Sequence, residues 1–130
     1  MEITVTESGS VDVIKIEGRV DSVEAPRFEK ALQDANHRGM YNLVIDMTRL
    51  EYMSSAGFRA LVAAQRNSRR HHRGDVVLVQ VPGLVQEALE MVGFAEHFSR
   101  FEDVASAVEY LQTGTAGSAT EDAQPLPSEG

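Results

Sequence analysis

Two adjacent serines, Ser54 and Ser55, are the residues of this sequence best placed to do chemistry. They lie in the stretch LEYMSSAGFRAL, between a buried-type apolar run, LVIDM, and an alanine-rich helical run. A serine at the start of a helix caps free N–H groups there, which is worth about 1 kcal/mol. A phosphate on Ser55 would also be favoured, because the amides and the dipole at a helix N-terminus attract anions. Spacing alone leaves both roles open.

Small residues, Ala56 and Gly57, follow the serines. Glycine in a first helical turn costs up to about 1 kcal/mol relative to alanine, which indicates that another group approaches the backbone closely there. A GxSxG nucleophile elbow is excluded because Met53 stands two residues before Ser55. The sequence also lacks a glycine-rich phosphate loop of the GxGxxG or GxxxxGK type. We therefore expect no enzyme, and we rank a nucleotide-binding domain or weak enzyme below a binding module.

The four histidines, His37, His71, His72 and His97, show neither the spacing of a metal site nor that of a catalytic triad. We expect no metal and no cofactor. His71 and His72 belong to the run SRRHHRG, whose basic groups have two explanations. They form an anion-binding patch, or they are cations that interact favourably with the C-terminal dipole of a helix. The second explanation is favoured.

The composition describes one ordinary domain, with 130 residues, 42% of them hydrophobic and 25% charged. The formal net charge of -8 argues against direct nucleic-acid binding, which depends on clustered Lys and Arg. Cysteine is absent, so a disulfide framework and thiolate chemistry are excluded. No apolar run approaches the roughly 20 residues of a membrane span, and MEITVTESGS does not resemble a signal peptide. We expect a cytoplasmic protein.

Hydrophobic periodicity predicts the elements that lead to the serines. ITVTES and VDVIKIEG alternate apolar and polar residues around an SGS turn, which predicts a β-hairpin. RFEKALQDANHRG has helical spacing, with Pro26 suited to its first turn and Gly39 to its C-terminal cap. YNLVIDM is short and almost continuously apolar, which is typical of a central strand covered on both faces.

A second helix is predicted from Ser55, continuing until Gly74. One side of it carries Phe58, Leu61, Val62 and Gln65. DVVLVQV predicts a buried strand that ends before Pro82. In GLVQEALEMVGF, the predicted core-facing stripe consists of Leu84, Ala88, Leu89 and Val92. HFSRF then predicts a short strand, and EDVASAVEYLQTG predicts a closing amphipathic helix.

The last residues differ in composition from the rest. The segment 114–130 is small, polar and proline-containing, so it buries too little apolar surface to offset its ordering entropy. We expect a single domain over residues 1–113 and a disordered C-terminal tail over 114–130. The expected class is α/β, with a mixed β-sheet of about four or five strands packed against about four helices.

Three stretches resemble the STAS domain family, and within it the bacterial anti-sigma factor antagonists. VIKIEGRVDSVEAPRFEKAL is similar to the family's strand, G-x-[LV]-D motif and first helix. LVIDMTRLEYMSSAGFRALV resembles the family's central strand, serine loop and second helix. VPGLVQEALEMVGFAEHFSRFEDVASAV resembles its later proline, helix, Gly-Phe turn and last strand. The order and spacing of the three stretches together are specific to the family, and they imply the STAS fold.

The resemblance implies a partner switch. It aligns Ser55 with the family's phosphorylated serine and Asp21 with an acidic residue near that serine. It implies that the unphosphorylated domain binds an anti-sigma factor, which is also a serine kinase of histidine-kinase-like ATPase fold, and so releases a sigma factor. A separate serine phosphatase would reset the domain, which performs no catalysis itself. The partner-binding residues expected from it are Asp21, Met53, Ser54, Ser55, Ala56, Gly57 and Phe58.

This sequence departs from the family at Ser54, where the family usually has Asp. The missing carboxylate indicates a partner surface of different charge, or a kinase that tolerates or chooses Ser54. Ser55 is expected to be the acceptor and Ser54 the cap, with phosphorylation of Ser54 as the alternative. A STAS module of another system, a secretion regulator or a lipid-transport accessory subunit, is the alternative function. In that case the serine loop would be only an interface.

Overall fold

The computed structural model describes residues 1–70 and 74–113 and contains one five-stranded sheet. The elements in chain order are β1 (Glu2–Ser8), β2 (Val11–Val20), α1 (Ala25–His37), β3 (Asn42–Met53), α2 (Ser55–Arg70), β4 (Val76–Val79), α3 (Gly83–Met91), β5 (Arg100–Phe101) and α4 (Val104–Thr113), with a short 3-10 turn at Ala95–His97. The strands lie in the order β1-β2-β3-β4-β5. The β1–β2 hairpin is antiparallel, and every later pairing is parallel. The predicted mixed α/β sheet with about four helices is therefore confirmed.

Helices cover the sheet unequally. On one face, α1, α2 and α3 close the larger core, whose centre includes Phe28, Ile45, Leu61 and Leu89. On the other face, α4 covers a smaller cluster around Val44, Val77 and Phe101. The continuous apolar run of β4 follows from this arrangement, because all four of its residues are buried on alternating faces.

Helix α1 begins and ends as its sequence predicts. Pro26 lies in its first turn, where a missing N–H is tolerated. Gly39 follows the end of the helix with φ +85°, a left-handed conformation that glycine adopts without strain. The helix is held to β2 by Arg38, whose Nη2 lies 2.7 Å from Oδ2 of the fully buried Asp12.

The central strand β3 is longer than predicted. The expected strand YNLVIDM ends at Met47, whereas β3 continues to Met53. Two register shifts against β2 each insert one extra residue into β3, so its buried residues recur at Met47, Leu50 and Met53, every third position. These β-bulges break the alternation by which a strand is recognised in sequence. Most of the predicted serine loop is therefore strand.

The predicted core stripe of α3 is partly wrong. Leu89 is buried as predicted, but Leu84 is 73% exposed and Val92 61% exposed, and Val85 is buried instead. Apolar residues cover about half of the circumference of the helix, with Gln86, Glu87 and Glu90 on the other side, so the pattern does not determine which part of the apolar face meets the core. Docking on the sheet through Val85 and Leu89 turns the other apolar side chains outward.

Two sequence expectations lie outside the described residues. The run SRRHHRG includes residues 71–73, and the expected disordered tail occupies 114–130. At the boundary, α4 ends at Thr113. No helix in the described part of the chain is both long and apolar enough to cross a bilayer.

Candidate functional site

Strand β3 passes into helix α2 through a single residue, Ser54. Its backbone N–H donates to the Val20 carbonyl of β2 at 2.8 Å, so Ser54 extends the sheet hydrogen bonding by one more contact. Its Oγ accepts from the Gly57 N–H at 3.3 Å, and its carbonyl accepts from the Phe58 N–H at 3.0 Å. The side chain caps α2 as predicted, and the residue is only 8% exposed.

Ser55 is the first residue of α2, and it is exposed. In the part of the chain that the structure describes, its hydroxyl has no hydrogen-bond partner. Ser55 therefore presents a hydroxyl to solvent directly beside a helix N-terminus. The two serines, indistinguishable by residue type, have separate environments.

Gly57 is required by packing inside the domain. It is buried in the first turn of α2, and a Cβ on it would lie 2.7 Å from Cγ of Met53 and 3.1 Å from Cγ1 of Val20. The close approach predicted from sequence is therefore made by side chains of this chain's own strands. Gly57 allows α2 to sit against the ends of β2 and β3.

Asp21 lies beside this junction. Val20 is paired with Met53, so Asp21 and Ser54 are the next residues at the same end of two neighbouring strands. The Oδ1 of Asp21 accepts from the backbone N–H of Val23 at 3.0 Å and of Glu24 at 2.9 Å. Asp21 thus holds the turn that leads into α1, a role that the sequence pattern did not predict.

The seven predicted partner-binding residues lie together at this end of the sheet, with different exposure. Ser55 is exposed, whereas Asp21, Ala56 and Phe58 are half-buried. Met53, Ser54 and Gly57 are buried. The three buried residues support the site from inside the domain, and the other four form its surface. Their contact with a partner stays a prediction.

Sequence reasoning did not identify three residues that lie around the junction. Tyr52, the residue before Met53, is 39% exposed, and the Arg19 guanidinium lies 4.5 Å from its ring centroid. Arg59 is exposed one helical turn after Ser55. Its i, i+4 spacing from a candidate phosphoserine was the available signal, because such positions are neighbours on a helix surface.

A buried polar cluster lies elsewhere, where α2 meets the start of β4. Gln65 donates from Nε2 to Oδ1 of Asp75 at 2.9 Å and accepts at Oε1 from the Val76 N–H at 2.9 Å. Burial raises the pKa of the Asp75 carboxyl above its ordinary value, although Arg69 and the Gln65 hydrogen bond oppose the shift. Burial and the nearby Asp75 charge also raise the pKa of Tyr110 on α4. These contacts fasten helices to the sheet.

Comparison with known proteins identifies the fold. Residues 3–103 match the family described as Mlab, STAS domain. The chain belongs to the STAS domain family. BtrV of Bordetella bronchiseptica, which is classed as an anti-sigma factor antagonist, is 30% identical to this STAS domain over 98 residues, covering 75% of this chain and 84% of BtrV. By sequence, the protein belongs with the anti-sigma factor antagonists, a group of regulatory proteins.

Two solved structures share the fold of this STAS domain. An anti-sigma factor antagonist from Mycobacterium paratuberculosis superposes with a TM-score of 0.75 at 21% identity, covering 85% of this chain and 93% of the other. The phosphorylated form of SpoIIAA, a cell fate determinant of Bacillus, superposes with a TM-score of 0.69 at 14% identity, covering 83% and 97%. At these identities, the likeness concerns the fold alone.

Proposed function

We propose that this STAS domain is an anti-sigma factor antagonist switched by phosphorylation of Ser55. In its unphosphorylated state it binds an anti-sigma factor, a serine kinase of histidine-kinase-like ATPase fold, and so releases a sigma factor. A serine phosphatase restores the hydroxyl, the domain itself catalyses nothing, and the switch operates in the cytoplasm. One observation carries the choice of acceptor: Ser55 is exposed, whereas Ser54 is 8% exposed and caps α2.

A phosphate at Ser55 changes charge where the partner would contact the domain. Phosphoserine carries about -1.5 to -2 charges at neutral pH and is strongly hydrated, so burying it in an interface that fits a hydroxyl is costly. A loss of about 2.7 kcal/mol in binding free energy is sufficient for a hundredfold loss of affinity. The half-buried carboxylate of Asp21 adds like-charge repulsion nearby. The switch is therefore local and needs no change of fold.

Ser54 keeps the cap where the family usually has Asp. The Ser54 Oγ already accepts the Gly57 N–H, which is the contact that a capping carboxylate makes. Serine supplies this contact without a negative charge. The unphosphorylated site is therefore less acidic than the usual family site, and we expect a partner surface with correspondingly less positive charge opposite it.

Affinity purification with phosphosite mapping tests this function. Wild-type, Ser55→Ala and Ser55→Asp proteins are used as baits, with Ser54→Ala as the matched control. We expect wild type, Ser55→Ala and Ser54→Ala to recover a kinase-like anti-sigma factor, and Ser55→Asp to lose it at least about a hundredfold. With ATP and that kinase, phosphate should appear on Ser55. Equal recovery by Ser55→Asp, or phosphate on Ser54 alone, would contradict the proposal.

A second candidate is a STAS module of another system, such as a lipid-transport accessory subunit or a secretion regulator. The observation that favours it is the description of the matching family, which names Mlab. In that case Ser55 is an interface residue that acquires no phosphate. Purification that recovers membrane ATPase components, and no kinase-like protein, would support this candidate over the first.

A further inference from the structure

A long groove runs between α2 and α3, beginning at Ser55. Its volume is about 710 Å³. Apolar side chains dominate its lining, among them Met53, Phe58, Val62, Leu89, Val92 and Phe94. Ser55 and Arg66 both line it, and these residues are about 16 Å apart along the axis of α2. A segment of about three helical turns would match that length.

The exposure of the apolar side chains on α3 indicates a macromolecular partner. Met91 is 87% exposed and Val92 is 61% exposed, and both line the groove. Leu84 lies on the same outward side of α3 and is 73% exposed. Sites for small molecules enclose most of the ligand surface, whereas contiguous exposed apolar side chains mark protein interaction surfaces. The exposed side chains of Met91 and Val92 at the groove therefore favour a protein partner over a small ligand.

The charge of the groove is opposite to that of the molecule. The chain has a formal net charge of -8, yet α2 contains four arginines and no acidic residue. Arg59 and Arg66 are exposed, line the groove and stand two helical turns apart. Within residues 1–70 and 74–113, neither of them forms an ion pair, and the Arg66 guanidinium lies 6.0 Å from the Phe94 ring centroid. Two cations without carboxylate partners therefore border an apolar floor.

We propose that this groove binds an amphipathic helix of a partner protein whose apolar face is flanked by acidic residues. The apolar face packs on Phe58, Val62 and Val92, and the carboxylates pair with Arg59 and Arg66. This is the helix-in-groove mode of recognition, in which apolar anchors at i, i+3, i+4 and i+7 supply the affinity. The two arginines select acidic partners, because a basic helix would meet like charges.

Two other occupants fit the groove less well. A second copy of the chain docked symmetrically would bring the arginines of both grooves together. The chain's own segment 114–130 is acidic, with Leu126 as its only large apolar residue. It starts after α4, where Gln112 donates to the Ser8 carbonyl beside the β1–β2 turn. With one large apolar residue, this segment supplies only a single anchor for the apolar floor of the groove.

The groove shares Met53, Ser55 and Phe58 with the partner-binding residues named above, so the proposal deepens the proposed function by naming the kind of segment that binds there. It extends the proposed function in one respect, since Arg59 follows Ser55 at i, i+4 on α2. A phosphate on Ser55 would pair with Arg59 and compete with the carboxylate of the bound helix. Binding of a model helix to wild-type and Ser55→Ala proteins tests the groove itself, even if Ser55 never receives a phosphate.

Peptide titration of the full chain, followed by amide chemical shifts, is the direct test. The probe is a synthetic peptide of about 14 residues, or about four helical turns, with leucines at i, i+3, i+4 and i+7 and flanking glutamates. Its control has lysines in place of the glutamates. We expect shifts at Val62, Ala63 and Met91, tighter binding of the glutamate peptide, and weakening by high salt. Arg59→Glu and Arg66→Glu should each weaken its binding at least about tenfold.

Lys30→Glu is the matched control, because it reverses the same charge on α1, where the side chain is 73% exposed and outside the groove. It should change peptide affinity less than about twofold. The proposal is overturned if the glutamate peptide fails to shift the groove up to about 1 mM, or if the lysine peptide binds equally well. Self-association abolished by Met91→Glu would assign the groove to a second copy. Tighter peptide binding by Leu126→Ser would assign it to the chain's own tail.

Discussion

At the scale of single residues, Ser54 and Ser55 have different exposure and different hydrogen bonds. Ser54 donates to Val20 and caps α2, whereas the Ser55 hydroxyl faces solvent. Sequence reasoning assigned the cap correctly because the rule for N-caps is local. It predicted a close approach at Gly57 but not the groups that make it, because pattern alone does not show that Met53 and Val20 lie there.

Alanine substitutions at the two serines are expected to have separate effects on stability. Ser54→Ala removes the acceptor for the Gly57 N–H and should lower the free energy of unfolding by about 1 kcal/mol. Ser55→Ala removes only an exposed hydroxyl and should change it by less than about 0.5 kcal/mol. Urea unfolding of the two variants beside wild type measures both values. A larger loss at Ser55 would contradict the assignment of the cap.

Gly57→Ala is expected to destabilise the domain, with Gly83→Ala as its control. The new methyl group at position 57 would overlap Met53 and Val20, at a cost of about 1–3 kcal/mol that exceeds the helix propensity gained. At Gly83, which also lies in a first helical turn, nothing lies within 4 Å of the new Cβ. Thermal unfolding should show a lower Tm for the first variant and no decrease for the second.

Asp75 is expected to make stability depend on pH. Because burial raises its pKa, the folded state keeps the proton to a higher pH than the unfolded chain, in which Asp titrates near about 3.9. The folded state then binds more protons in this window, so stability decreases as pH rises through it. The pH dependence of the difference in unfolding free energy between wild type and Asp75→Asn isolates this effect. A difference that is constant with pH would show that the carboxyl titrates alike in both states.

At the scale of elements, the accuracy of sequence reasoning followed the regularity of each pattern. The β1–β2 hairpin was predicted correctly, because most of its residues alternate between apolar and polar on either side of a short turn. Strand β3 was cut short because two bulges change the spacing of its buried residues from two to three. Helix α3 was placed correctly but its core-facing residues were partly wrong, because its apolar face is wider than the part that packs on the sheet. Tertiary packing determines where the bulges lie and which face of a helix is buried, and it depends on residues outside any short stretch of sequence.

The attachment of α1 to β2 is expected to depend on one ion pair. Arg38→Ala would leave the Asp12 carboxylate, which is 0% exposed, without a counter-charge. We expect a loss of about 2 kcal/mol, less than the 3–5 kcal/mol of fully enclosed pairs, because Arg38 is 42% exposed and water can reach the site. Arg27→Ala is the control, since its pair with Glu24 is at the surface and should contribute less than about 1 kcal/mol. Equal losses in urea unfolding would refute the distinction.

At the scale of the whole molecule, sequence reasoning gave the fold class and the position of the serines at the end of a central strand. The family resemblance supplied what periodicity could not, namely that Asp21 and Ser55 lie at the same end of the sheet. The α2–α3 groove could not be predicted from the sequence. It is formed by two helices that are distant in sequence, and their apolar residues are divided between core and surface. The concentration of arginine on α2 was visible in the sequence, but its meaning depends on which of its faces is covered.

Phosphorylation of Ser55 is expected to leave the fold of the domain unchanged. The hydroxyl is outside the core, and its neighbours on β3 and α2 are fixed by backbone hydrogen bonds. Hydrogen exchange of phosphorylated and unphosphorylated protein should therefore differ only around residues 52–59. Broad changes in β1, β2 or α4 would mean that the switch acts by refolding and not by local charge.

The single-residue connection between β3 and α2 restricts how this site can vary. Inserting one residue there would rotate α2 by about 100° and shift it by about 1.5 Å relative to the sheet. Leu61 and Ala64 would then leave the core, and the arginines bordering the groove would point elsewhere. We therefore expect partner preference at this site to change through substitutions, and not through insertions or deletions. A grafted loop that is meant to change partner preference is better placed at another connection, such as the one between β2 and α1, where four residues separate the elements.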